Sequence, residues 1–320
     1  MSTPGRLVTG LIFFSLASFA ASLHAPDPVS PASTVKLIFI HHSTGGEWLA
    51  DGSGGLGTAL MNNRYFASAT NYNWGPDAVG DRTDIYNWPE WFTGHNKTAI
   101  LHDLFLESGQ SNGDPFPDFG AWSRLATDPG GENQIVLFKS CFPNSNLDGN
   151  PDDPPLSEEN SYELSVANAK AVYIKILTYF QTRQDKLFVV ITAPPLRQAE
   201  TTPESAANAR AFNNWLFDRS SGWLKNYTFF NVAVFDYYNV LTSNGGDVDT
   251  NDTSSASGNH HRWYNGAEQH AQSLSNNYSS YPSGDSHPTA AGHQKATAEF
   301  LPLLNYFYAR WKGTAPPPSR

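Results

Sequence analysis

Three side chains in this sequence are of the types that support nucleophilic catalysis: a serine, a histidine and an aspartate. Ser43 lies in the tract 41–46 (HHSTGG), and Asp285 and His287 lie together in the tract 284–293 (GDSHPTAAGH). A histidine oriented by a carboxylate can take the proton of a serine hydroxyl, which then attacks an acyl group. The combination is what nucleophilic catalysis by a serine would need, with Ser43 as the nucleophile, His287 as the general base and Asp285 as the acid that orients it.

Each of these residues also has a purely structural interpretation. Ser43 can simply cap a helix, because serine is a favourable N-cap residue. Asp285 and His287 can be surface residues of a polar segment. Cys141, the single cysteine of the chain, is a second candidate nucleophile, although a free cysteine is more often simply buried. One cysteine excludes an internal disulfide framework and a zinc site with several cysteines.

Alternating strands and helices are predicted to position these residues. Short apolar runs predict buried strands at Val35–Ile40, Ile135–Phe138, Leu187–Thr192 and Phe229–Phe235. Apolar residues at helical spacing predict helices at Ser157–Arg183, Ala206–Phe217 and Thr289–Tyr308, the first two capped by Ser157 and Ser205. The alternation predicts an α/β fold, a three-layer α/β/α sandwich with a parallel central sheet. Ligands bind beyond the carboxyl ends of such strands, where Ser43 lies.

Two segments lack this periodicity and are predicted to be long rim loops of the same domain. They are residues 51–134 and 242–286, which are rich in Gly, Asn and Asp. Trp48, Trp88 and Trp263 lie in or near such segments and are candidate substrate contacts, since aromatic faces can stack on sugar rings. His42 is a further candidate for substrate binding. The structural alternative is that the tryptophans pack the loops onto the body of the domain.

Composition and the N-terminal residues narrow the class of protein. A formal net charge of −10 argues against a nucleic-acid binder, which needs a basic face. Arg6 followed by the apolar stretch 7–23 predicts a cleaved signal peptide and a secreted or periplasmic protein. The stretch is short for a membrane span, so no stable membrane anchor is expected. The predicted organisation is a signal peptide at 1–25, a linker at 26–34, one α/β domain at 35–312 and a Pro-rich tail at 313–320.

The order of these motifs resembles the SGNH (GDSL-like) hydrolase superfamily. That family places its serine just after the first strand and an Asp–His pair just before the last helix, often as Asp-x-x-His-Pro. The tracts 285–294 and 229–241 look much like the corresponding family blocks. Two features depart from the family: the serine block reads HHSTG, and the acid lies two residues before the histidine instead of three. Asp247 or Asp249 is therefore an alternative acid, and a Ser–His dyad is another alternative.

The resemblance also implies an oxyanion hole. In the family it consists of the backbone N–H of the serine, a glycine N–H and an asparagine side chain. Asn144 is at the matching offset after a middle strand, with Asn146 as the alternative. Gly80 is the preferred glycine, with Gly75 and Gly94 as alternatives. The implied chemistry needs no metal and no organic cofactor.

The function expected from the sequence is a serine esterase that acts on an acylated carbohydrate or another ester. A carbohydrate ester, such as an O-acetyl group, is favoured over a lipid ester because the sequence shows no long amphipathic lid. Three alternatives remain open: a non-catalytic carbohydrate-binding protein on the same fold, an O-acyltransferase and a lipase-like esterase.

Overall fold

The computed structural model describes residues 1, 27–109, 125–160, 162–243, 260–271, 278–279 and 281–315. The predicted signal peptide lies outside the described residues, apart from Met1. The alternative acids Asp247 and Asp249 also lie outside them.

Five of the described strands form a parallel sheet at the centre of the fold. They are β1 (Val35–Ile40), β2 (Tyr65–Thr70), β3 (Ile135–Lys139), β4 (Leu187–Ile191) and β5 (Val232–Phe235). Their order across the sheet is β2-β1-β3-β4-β5. All of their residues are buried, because helices cover both faces of the sheet. The predicted three-layer α/β/α sandwich with a parallel central sheet is confirmed.

Helices form the two outer layers. Those of the described residues are α1 (Thr44–Leu49), α2 (Leu56–Asn62), α3 (Trp88–Phe92), α4 (Lys97–Leu106), α5 (Val166–Thr182), α6 (Pro203–Phe217), α7 (Tyr237–Leu241) and α8 (Ala290–Trp311). Helices α1, α2, α7 and α8 pack on one face, against Leu37 and Phe39 of β1. Helices α3 to α6 pack on the other face, against Ile38 and Ile40. Successive side chains of β1 point to opposite faces of the sheet, so this strand contributes to both hydrophobic cores.

Two small antiparallel pairs follow the sheet in the chain. β6 (Thr242–Ser243) pairs with β9 (Tyr278–Ser279), and β7 (His260–Tyr264) pairs with β8 (Ala267–Ala271). The β7–β8 hairpin packs on α7 and α8, so residues 242–286 are not wholly the irregular loop that was predicted. Within the described parts of the chain, no helix is both long enough and apolar enough to cross a membrane.

The prediction that residues 51–134 form an irregular rim is wrong. This segment contains α2, β2, α3 and α4, and β2 is an edge strand of the main sheet. The sequence of β2, YFASAT, is rich in small and polar residues. It therefore lacks the continuous apolar run by which the other strands are recognised.

Two predicted helix caps are also wrong. Helix α5 begins at Val166, and its cap is Ser165, whose side chain accepts the N–H of Asn168. The predicted cap Ser157 precedes the helix. Helix α6 begins at Pro203 and is capped by Thr202, with Ser205 as the third residue of a capping box.

Candidate active site

The strand order creates a crevice at the carboxyl ends of β1 and β3. The chain leaves β1 towards β2 on one side and leaves β3 towards β4 on the other, so the two connections diverge. In doubly wound sheets this switch point is where ligands bind. Ser43 follows β1 and Asn144 follows β3, and both therefore lie at the crevice.

Ser43 lies in a strained turn between β1 and α1. Its φ of 38° and ψ of −96° are in a region that non-glycine residues rarely adopt. Gly45 is required beside it, because a Cβ at this position would lie only 2.4 Å from the Cβ of His41. Such a sharp strand–turn–helix presents a serine hydroxyl at the top of a sheet, and strain of this kind concentrates at active sites.

His287 joins the hydroxyl of Ser43 to a carboxylate. Its Nε2 is hydrogen-bonded to Ser43 Oγ. Its Nδ1 lies 3.2 Å from Oδ1 of Asp285, and the same oxygen accepts the backbone N–H of His287 at 2.7 Å. The ring of Phe142 packs edge-on against the imidazole, with 5.1 Å between the centroids. The structure thus brings the predicted serine, histidine and aspartate into one hydrogen-bonded line.

The loop that carries His287 is fixed by contacts with the segment after β4. Ser286 Oγ accepts the backbone N–H of Arg197 at 3.0 Å and donates to Glu200 at 3.2 Å. Thr289, the N-cap residue of α8, donates its N–H to the carbonyl of Tyr281 at 2.9 Å. These contacts hold the imidazole in place, so its position does not depend on the carboxylate alone.

Asp285 is the exposed end of this line, with 67% of its side chain accessible. The backbone N–H of His287 is the main cause that lowers its pKa, so the side chain is a carboxylate at neutral pH. Water screens an exposed carboxylate, which weakens its effect on the imidazolium formed during the reaction.

We therefore expect Asp285→Asn to lower kcat/KM for 4-nitrophenyl acetate only about 10- to 100-fold, against about 10⁴-fold for a buried triad aspartate. Asp103→Asn, on the exposed face of α4, is the matched control. The measurement is steady-state hydrolysis of the ester at neutral pH. A loss as large as that caused by removing His287, or no loss at all, would contradict this assignment.

His42 is an anchor inside the protein and not a side chain that faces substrate. Its Nε2 donates to the carbonyl of Gly80, and its Nδ1 lies 3.1 Å from the hydroxyl of Thr83. The ring stacks on Tyr72 at 4.2 Å and is 7% exposed. Burial lowers the pKa of His42, which favours the neutral ring. His42 thus ties the segment 80–83 to the turn of Ser43.

The choice of Gly80 as an oxyanion donor is wrong. Its backbone N–H donates to the carbonyl of Trp74 at 2.8 Å, so it is already engaged within the protein. A glycine is needed here for packing, since a Cβ would lie 2.1 Å from the carbonyl oxygen of Asn71. The alternative Gly94 is also engaged, through the carbonyl of Pro89 at 2.6 Å.

Asn144 is buried at the crevice, and its amide orientation is fixed on both sides. Its Oδ1 accepts the N–H of Ile85 at 2.8 Å, and its Nδ2 donates to Oδ1 of Asp84 at 2.6 Å. An amide nitrogen carries two N–H donors, so Asn144 has a second donor besides the one given to Asp84. This side chain is therefore the better candidate for binding an oxyanion together with the backbone N–H of Ser43.

The tryptophans proposed as substrate contacts lie in or against the core. Trp48 and Trp88 are fully buried. Trp48 stacks on Tyr237 with 4.7 Å between centroids, and Trp88 packs against Phe138 at 5.0 Å. Neither ring can stack on a sugar, and for these two residues the prediction is wrong. Trp263 is half-buried on β7 and packs against Tyr306 of α8.

A group of polar contacts between α1, α7 and α8 was not found from the sequence. Nε2 of His293 lies 3.3 Å from Glu47 of α1, and its Nδ1 lies 2.7 Å from the hydroxyl of Tyr237. These contacts join the helix that begins after Ser43 to the helix that begins after His287. Lys139 is fully buried in the same region, and burial lowers its pKa. The second histidine of the tract 287–293 was the one sequence signal for this group of contacts.

His41 makes the fold sensitive to acid. Burial is the main cause that lowers its pKa well below the usual value, with Lys139 and His42 adding to the effect. Below about pH 6.5 the unfolded chain therefore binds a proton that the folded chain excludes. The stabilising contribution of neutral His41 is complete above this pH and is lost progressively as the pH falls.

The free energy of unfolding of the wild type is expected to fall as the pH is lowered from 7.5 to 5.5. In His41→Asn, which lacks the buried imidazole, we expect this fall to be about 1.4 kcal/mol smaller. The measurement is urea unfolding of both proteins at the two pH values. His102→Asn on the exposed face of α4 is the control and should behave as the wild type. An identical pH difference in the wild type and the His41 variant would contradict the prediction.

The other candidate nucleophile, Cys141, is less well placed than Ser43. Cys141 is half-buried, with its Sγ 3.6 Å from the hydroxyl of Thr44, whereas His287 contacts Ser43. In the part of the chain that the structure describes, no group of three or more His, Cys, Asp or Glu residues is arranged to hold a metal ion.

Comparisons of the chain with protein-family models, with curated proteins and with solved structures find no match. The function is therefore inferred from the side chains of the crevice.

Proposed function

We propose that this protein is a serine esterase of the SGNH type that cleaves carboxylic esters through an acyl-Ser43 intermediate. The observation that carries the proposal is the hydrogen-bonded line from Ser43 through His287 to Asp285. This line lies at the switch point of a parallel sheet, and its serine has a strained backbone. A helix-capping role for Ser43 would explain neither its strained backbone nor its hydrogen bond to His287.

The proposed reaction uses these groups in turn. Nε2 of His287 accepts the proton of Ser43 as Oγ attacks the carbonyl carbon of the ester. The backbone N–H of Ser43 and Nδ2 of Asn144 stabilise the negative oxygen of the tetrahedral intermediate. The C–O bond to the alcohol breaks, and His287 gives its proton to the leaving oxygen. Water then attacks the acyl-serine with His287 as the base, which releases the acid and restores the Ser43 hydroxyl.

The substrate class proposed is an acylated carbohydrate, acted on outside the cytoplasm. The location rests on the signal-peptide pattern of residues 1–25. An O-acyltransferase would use the same acyl-serine and differ only in the acceptor of the acyl group.

The proposal is tested by incubating the purified protein with 4-nitrophenyl esters of increasing acyl length and with O-acetylated oligosaccharides. Release of free acid shows hydrolysis, and transfer of the acyl group to an added sugar shows transferase activity. We expect turnover of acetyl esters. A folded protein that turns over none of these esters would contradict the proposal and favour a non-catalytic carbohydrate-binding protein.

A further inference from the structure

An open cleft lies beside the Asn144 end of the crevice. Its volume is about 320 Å³, which is within the range of sites for small ligands. The residues that characterise its lining are Asp81, Asp84, Tyr86, Glu90, Glu159 and Tyr162. None of them takes part in the proposed reaction.

Two residues of the cleft's lining are linked to the candidate active site. Asp84, in its wall, accepts the hydrogen bond from Nδ2 of Asn144, the proposed oxyanion donor. Asp81 directly follows Gly80, whose carbonyl is bound by His42, the neighbour of Ser43 in the chain. The lining of the cleft is thus connected to the groups that hold Asn144 and the turn of Ser43.

Two tyrosines stand at the cleft with their rings 5.7 Å apart and inclined by 49°. The hydroxyl of Tyr86 donates to Oδ2 of Asp84 at 2.8 Å, which fixes that ring. Tyr162 is 85% exposed. An aromatic side chain that presents this much of its ring to solvent is suited to stacking on the apolar face of a ligand.

The loop that carries Tyr162 is held from both sides by one buried residue. Asn168 of α5 accepts the backbone N–H of Asn160 at 2.7 Å. Its amide nitrogen donates to the carbonyls of Asn160 at 2.8 Å and Glu163 at 2.7 Å. Asn160 and Glu163, which lie on either side of Tyr162 in the sequence, are therefore fixed by Asn168, which lowers the entropic cost of binding a ligand.

The charge of the cleft restricts the ligand. Of its charged residues, Asp81, Asp84, Glu90 and Glu159 are acids. Two of these acids are paired with cations, Glu90 with Arg82 through two contacts of 2.8 Å and Glu159 with Lys175, so the excess negative charge lies at Asp81 and Asp84. Carboxylates accept hydrogen bonds from sugar hydroxyls and repel anionic ligands.

We propose that this cleft binds the sugar chain of the substrate and takes neutral glycans in preference to glycans that carry uronic acids. This inference rests on the proposed function, which places the ester bond of the substrate at Ser43. Tyr162 supplies the stacking face, and the acids supply acceptors for the hydroxyls.

The test is calorimetric titration of the Ser43→Ala protein with neutral tetraoses of xylose, mannose and glucose, and with tetragalacturonate. We expect at least one neutral tetraose to bind more tightly than tetragalacturonate. Adding Tyr162→Ala should then lower its affinity about tenfold, the loss of one stacked aromatic contact. Tyr264→Ala, on the hairpin of β7 and β8, removes another exposed tyrosine and should leave the affinity unchanged.

Three results would overturn the proposal: no binding of any neutral tetraose, equal affinity with and without Tyr162, or tighter binding of tetragalacturonate. Hydrolysis of 4-nitrophenyl acetate by the wild-type protein separates this inference from the proposed function. Tyr162-dependent binding without hydrolysis would support the cleft and contradict the esterase. Hydrolysis without glycan binding would support the esterase and contradict the cleft.

Discussion

Replacing Ser43 by alanine is expected to lower kcat/KM for 4-nitrophenyl acetate by about 10⁴-fold or more, because the nucleophile of the covalent pathway is removed. The activity that remains would come from the oxyanion donors and from substrate binding. The measurement is hydrolysis at saturating and limiting ester. Ser157→Ala changes an exposed serine before α5 and should keep the wild-type rate.

A second variant, Ser43→Gly, controls for the strained backbone at this position. Its positive φ strains alanine as it strains serine, whereas glycine adopts this conformation freely. We expect Ser43→Gly to be as inactive as Ser43→Ala, and a loss shared by both variants is due to the missing hydroxyl. If either variant kept more than about a tenth of the wild-type rate, which is under 1.4 kcal/mol of transition-state stabilisation, Ser43 would not be the nucleophile.

Replacing His287 by glutamine is expected to cost about 10³- to 10⁴-fold in kcat/KM, since the serine then has no general base. Glutamine can still hydrogen-bond to Ser43 Oγ but cannot hold its proton at neutral pH. His102→Gln on the surface of α4 is the matched control and should leave the rate unchanged.

The comparison of the His287 and Asp285 variants distinguishes a triad from a dyad. A large loss on removing the imidazole and a small loss on removing the exposed carboxylate would indicate that the loop contacts of Ser286 do most of the positioning. Activity of His287→Gln within tenfold of the wild type would mean that another group activates the serine. That result would contradict the proposed mechanism.

The sequence predicted the sheet well where strands are buried and apolar. Runs such as that of β1 are recognisable because both faces are covered by helices. Strand β2 lies at the sheet edge and carries small and polar residues, so its place follows only from its pairing with β1. The failure to recognise β2 and α3 also explains why Trp88 was wrongly predicted to contact substrate. Its segment was predicted to be a loop, whereas its ring packs on Phe138 in the core.

The order of the elements along the chain was enough to predict which residues meet at the site. It was not enough to predict the roles of residues that depend on particular hydrogen bonds. Ser43 and His287 could be predicted to meet because both flank elements of one sheet face. The roles of Gly80 and His42 depend on contacts between segments far apart in the sequence, with Trp74 and Thr83 as partners. No local pattern shows that the N–H of Gly80 is already engaged. The cleft at Tyr162 likewise depends on a distant contact. Asn168 of α5 binds the backbone of Asn160, close to Tyr162 in the sequence.

The central claim is that the hydroxyl of Ser43 is activated by His287, and labelling with a fluorophosphonate tests it most directly. The purified protein would be treated with the reagent, and peptide mass spectrometry would locate the adduct. We predict one adduct, on Ser43, whose formation is lost in His287→Gln and kept in His102→Gln. A folded protein with no adduct on Ser43, or with an adduct that forms equally without His287, would contradict the account.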